Sequence, residues 1–125
     1  MISIEDTKLG KLAIATDAER SAIVGGSLFA GEQITLAFTA SGESVVFTTQ
    51  RVLVVLPSGM AGKKREVNSI ALSHVPAFSV ETNDARDEVS AITIAARGLG
   101  RIQFELRTPI AMAEFNALVG SRLGV

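Results

Sequence analysis

One arginine stands where a strand should be apolar. Arg51 opens the run Val52-Leu53-Val54-Val55-Leu56. A charge at the head of such a run needs a counter-charge or water, because burying it unpaired is costly. Glu81, in a segment where Phe78 and Val80 alternate with Ala77 and Ser79, is an available carboxylate. Two readings of Arg51 stand side by side: a polar contact to another protein chain, and an intramolecular salt bridge at the strand end. Lys63-Lys64-Arg65 is the one cationic triplet and follows the turn Gly59-Met60-Ala61-Gly62. It could touch an anionic lipid surface at about 1 kcal/mol per charge. The simpler reading is a solvated hairpin end whose charges discourage edge pairing.

The remaining chemical inventory is thin. With no Cys, disulfides and thiolate chemistry are excluded. His74 is the only histidine, and the nearest acids in sequence, Glu66 and Glu81, belong to flanking strands, so no triad or zinc set converges on it. Asn83, Asp84, Asp87 and Glu88 form a polar turn whose spacing misses the calcium-loop pattern; Asn and Asp are ordinary turn formers. Gly59-Met60-Ala61-Gly62 has the Gly-x-x-Gly spacing of an RNA-clamping loop but joins strands rather than helices. It is also too short for a phosphate-cradling loop. Twelve Lys and Arg against thirteen Asp and Glu leave a net charge of −1, so no basic field marks nucleic acid as a partner. These exclusions point away from an enzyme and require no cofactor or metal.

The elements that would position these residues are mostly strands. The 125-residue chain is 47% hydrophobic with a mean hydropathy of +0.36, enough for one folded domain. Residues 1–27 pattern poorly and read as an N-terminal extension. Thr16 and Glu19 have capping-box spacing for a short helix over Asp17–Val24, stopped by Gly25-Gly26. That extension would pack on the rest of the protein or form an interface. Before it, residues 8–12 read as helix or irregular. From Glu32 the period becomes two, with Ile34, Leu36 and Phe38 facing one way. Ser41-Gly42 makes a tight turn. Strands follow over Glu43–Thr48, Arg51–Leu56, Lys63–Ile70, Ala77–Glu81, Val89–Ala96 and Ile102–Arg107, making seven. The run Val52–Val55 is apolar on both faces, as in a strand covered from two sides. Thr108 and Pro109 then suit the start of a helix, with Met112, Phe115, Leu118, Val119 and Leu123 as its apolar stripe. The expected fold is mainly β: seven antiparallel strands curled into a barrel and capped by a C-terminal helix.

This order resembles the pleckstrin-homology (PH) fold, and within it a bacterial family of PH-like domains. The landmarks are Gly31-Glu32, Phe47-Thr48-Thr49-Gln50-Arg51, Gly59, Gly62-Lys63-Lys64, Ser69-Ile70, Phe78-Ser79-Val80-Glu81-Thr82 and Asp87. The resemblance runs over roughly residues 28–123, and a PH-like domain is assigned to 28–125. Where the family often carries Asn-Lys before the arginine, this chain has Thr49-Gln50, and the Trp common in the sixth strand is missing.

The resemblance implies no enzymatic activity. It implies self-assembly through the sheets into a cyclic ring and a hydrophilic surface for an unnamed protein partner. The candidate interaction residues are Arg51, Glu81, Lys63, Lys64 and Arg65. Phosphoinositide capture of the usual PH kind is not expected, because the first hairpin loop, Ser41-Gly42-Glu43, is short, lacks a base and carries an acid. Weak contact of the basic triplet with an anionic membrane is the alternative. The acidic N-terminus and the shortness of every apolar run imply no leader or membrane span, hence a cytoplasmic protein.

Overall fold

The computed structural model describes residues 7–59, 64–83, 87–98 and 100–119. The expectations placed on Lys63, on the turn residues 60–62, on Asp84 and on Leu123 fall outside them. Eight strands form one sheet: β1 (Thr7–Ile14), β2 (Ile34–Ala40), β3 (Glu43–Thr48), β4 (Arg51–Ser58), β5 (Lys64–Ala71), β6 (Ala77–Asn83), β7 (Glu88–Ala96) and β8 (Gly100–Ala111). Helix α1 (Asp17–Val24) follows β1, and α2 (Met112–Leu118) follows β8. The spatial order is β5-β4-β3-β2-β1-β8-β7-β6. The sheet curls around a core that includes Leu12, Phe38, Phe47, Ile92 and Phe104. The buried ring of Phe115 on α2 packs edge-on against Phe47 and tilted against Phe78, so the helix covers that core.

The seven strands read from the period of two are present; the eighth, β1, corrects the count. It also corrects the all-antiparallel arrangement, since β1 runs antiparallel to β2 but parallel to β8. The reason it hides in the sequence is local. Its register slips between Lys8 and Lys11, so the two buried residues, Leu9 and Leu12, lie three apart. A spacing of three imitates a helix. The irregular backbone at Gly10 donates its N–H to the Glu43 carboxylate at 3.2 Å.

The C-terminal helix starts later than Thr108-Pro109 suggest. β8 continues to Ala111 because Ile110 is buried opposite Val89. The register shifts between Val89 and Ala91, whose partners are Ile110 and Glu105, and Pro109 sits in the bulged stretch where a missing N–H is tolerated. Elsewhere local chemistry decides as read. Thr16 and Glu19 close a reciprocal capping box on α1, and Gly25, at φ 51°, ends it. Ser41 and Gly42 both have positive φ, 50° and 84°, which is the turn that suits the twist of a two-residue hairpin.

The outward side of the sheet is not uniform. Over β2, β3 and β4 it carries Ala37, Val46, Leu53 and Val55, and these form a second apolar cluster with Ile23 and Val24 of α1. The doubly apolar β4 is therefore covered from two sides. Over β6, β7 and β8 the outward residues are Glu81, Ala91, Thr93, Gln103 and Glu105, with no such cluster among the described residues.

Candidate functional site

Arg51 is held by the turn that precedes it. The Thr48 hydroxyl accepts the backbone N–H groups of Gln50 at 3.1 Å and Arg51 at 2.9 Å, which tightens the link from β3 to β4. The side chain then lies on the outward face and is buried. Its Nε donates to Oε2 of Glu32 and its Nη2 to Oε1, both at 2.9 Å, a two-point fork on one carboxylate. Nη2 also donates to the Ser27 carbonyl, and Nη1 to the Ser69 hydroxyl at 2.7 Å. The guanidinium carbon lies 3.8 Å from the centroid of the Phe29 ring, which is itself 57% exposed.

Glu32 is positioned as firmly. Phe29-Ala30-Gly31-Glu32 is a turn with Gly31 at φ 80° and a Glu32 N–H to Phe29 carbonyl bond of 3.0 Å. The Glu32 carboxylate accepts the Phe29 N–H at 2.9 Å and the Thr48 hydroxyl. Burial pushes its pKa up. The hydrogen bonds from Arg51, Thr48 and Phe29 and the Arg51 charge outweigh that and hold it at about 2. The partner of Arg51 is thus Glu32, not Glu81. Arg51 and Glu32 together pin the 27–32 segment onto β4 and β5.

The other predicted residues are dispersed. Glu81 is exposed on β6, at the far end of the sheet from β5, where it borders a shallow depression of about 110 Å³ with Lys8, Thr93, Gln103 and Glu105. Arg65 reaches from β5 to α1 and donates from Nη1 to the carbonyls of Ala22 at 3.0 Å and Ile23 at 2.8 Å. It therefore satisfies carbonyls that the helix end leaves open. Lys64 is exposed, and its stem runs beside Gly59. The sequence marks Glu32 and Ser69 only as landmarks and gives Ser27 and Phe29 no part in holding Arg51. The one available signal was an acid following Gly31 and preceding an apolar strand.

A family model described as bacterial PH domain matches residues 3–121. The chain belongs to the bacterial PH domain family. Protein YjqA of Bacillus subtilis, described as uncharacterized, is 32% identical over 93 residues, 74% of each chain. Two crystal structures share the fold. One, a DUF1696 family protein with a PH domain from Shewanella loihica, superposes with a TM-score of 0.63 at 19% identity, covering 94% of this chain and all of that one. The other, a PH domain from Shewanella amazonensis, gives 0.59 at 23% identity, covering 87% and 90%. For this bacterial PH domain, no described helix is long and apolar enough to cross a membrane.

Proposed function

We propose that this bacterial PH domain is a non-enzymatic module that assembles with copies of itself into a closed ring and presents that ring to protein partners. The observation that carries the reading is the difference between the two ends of its sheet. β5 and β6 are both end strands, so each offers backbone groups that no neighbouring strand takes among the described residues. They differ in chemistry. The Lys64–Val67 half of β5 carries exposed Lys64 and Val67, whereas β6 carries exposed Glu81. A β5-to-β6 contact between copies is head-to-tail, and such contacts close into rings or run on as filaments. Lys64 and Glu81 give that contact opposite charges. Arg51 acts inside the protomer and supports the assembly by fixing β4 against β5.

Native mass spectrometry tests the reading. A ring gives one discrete multiple of the 13.1 kDa chain, unchanged as concentration rises. A ladder of masses contradicts closure, and a monomer throughout contradicts assembly.

A further inference from the structure

A cleft of about 300 Å³ lies where the end of β5 meets the β7–β8 hairpin, lined by Ser69, Ile70, Ala71, His74 and Arg97. Its polar lining is basic or hydroxylic, and among the described residues no carboxylate borders it. Arg97 and His74 come from separate elements, but the Arg97 backbone N–H donates to the His74 carbonyl at 2.8 Å, which fixes the two residues beside each other. Both side chains are exposed, and Arg97 makes no ion pair among the described residues. The Ser73 hydroxyl lies 3.4 Å from His74 Nδ1, so Nε2 is the ring nitrogen left for a ligand.

Ser69 completes the set. Its oxygen accepts the Arg51 Nη1–H at 2.7 Å, so its own hydroxyl proton must find a different acceptor. A hydroxyl that accepts from a guanidinium is also a stronger donor. The buried Glu32–Arg51 pair therefore orients a donor at the margin of this cleft. The volume sits at the small end of ligand pockets, enough for a compact anion and its first atoms beyond.

We propose that this cleft binds a phosphate dianion, with Arg97 as the charged anchor, Ser69 as an oriented hydroxyl donor and His74 as a third donor. The chemistry is shared by free phosphate and by the headgroup of phosphatidic acid. The site lies away from the Ser41-Gly42-Glu43 loop and from the Lys64–Val67 half of β5 assigned to assembly.

The test uses the full chain labelled with ¹⁵N. Inorganic phosphate is titrated first, then phosphatidylcholine vesicles with and without phosphatidic acid. The expected result is saturable amide shifts at Ala71, His74 and Arg97. Affinity should fall about tenfold in Arg97→Ala, the loss of one charge-assisted contact, with Arg97→Lys recovering part of it. Ser69→Ala should weaken binding by a smaller factor, and Lys8→Ala, on β1 and outside the cleft lining, should change nothing. Phosphate shifts without vesicle binding identify a free anion as ligand; vesicle binding that needs phosphatidic acid identifies the headgroup. No saturable shift in either arm, or equal affinity in Arg97→Ala, overturns the proposal.

Discussion

The two outward faces of one curled sheet have opposite fates. Over β2, β3 and β4, Ala37, Val46, Leu53 and Val55 meet α1, and the Glu32–Arg51 pair bolts down the segment that leads from the helix into β2. Over β6, β7 and β8, the same alternation turns out Glu81, Thr93, Gln103 and Glu105 instead. Both faces obey the period of two; what differs is whether the described residues supply a cover. The covered face is built for stability, and the bare one leaves the end strand β6 available. A buried ion pair belongs on the first face because there each of its side-chain nitrogens and oxygens has a hydrogen-bond partner, the condition under which burial is tolerated.

Substitutions should separate the faces, most strongly at the pair. Arg51→Ala leaves the Glu32 carboxylate buried with its main partner gone, and should cost about 3–5 kcal/mol in chemical denaturation. A loss below about 1 kcal/mol, the range of an exposed pair, would show that the pair does not bolt the segment down. Leu53→Ala, under the roof of α1, should cost about 2–5 kcal/mol. Gln103→Ala, on the bare face, should stay within about 0.5 kcal/mol. Equal costs at the two positions would erase the distinction between the faces.

Acid should unfasten the covered face selectively. The Glu32 pKa is about 2 in the folded chain against an ordinary 4.5. A folded value below the unfolded one means that the stabilisation is complete above about pH 4.5 and is lost as pH falls toward 2. Glu32→Gln should flatten that part of the stability curve, measured by urea unfolding from pH 6 down to pH 2 as a rough series. An unchanged acid slope would place the titrating group elsewhere. A smaller loss than at Arg51 or Leu53 belongs to the helix entrance: Thr16→Ala removes one half of the capping box and should cost about 1 kcal/mol, read by thermal unfolding.

Legibility followed the same division. Strands with a strict alternation, such as Ile102-Phe104-Leu106, were plain in the sequence, as was the capping box that starts α1. β1 was not, because its slipped register turns an alternating strand into a spacing of three. The start of the C-terminal helix is misleading in the sequence because Thr108-Pro109 has the chemistry of a helix start, while a long-range partner, Val89, keeps Ile110 in the strand. Arg51 was conspicuous, but its carboxylate was not. Glu32 lies 19 residues upstream in a turn, and which acid folds back to an arginine is settled by tertiary packing rather than by spacing. Glu81 was the reasonable choice from strand pattern alone, and the sheet order places it at the opposite end from β5.

Whether the chemically distinct ends of the sheet meet in solution is decided most directly by sedimentation equilibrium of the wild-type chain beside Val67→Lys. Val67 is 40% exposed on β5, so the substitution adds charge without opening the core. The expected wild-type mass is a whole multiple of 13.1 kDa greater than one, beside a Val67→Lys chain near 13.1 kDa itself. A wild-type chain that sediments at 13.1 kDa at high micromolar concentration would contradict it.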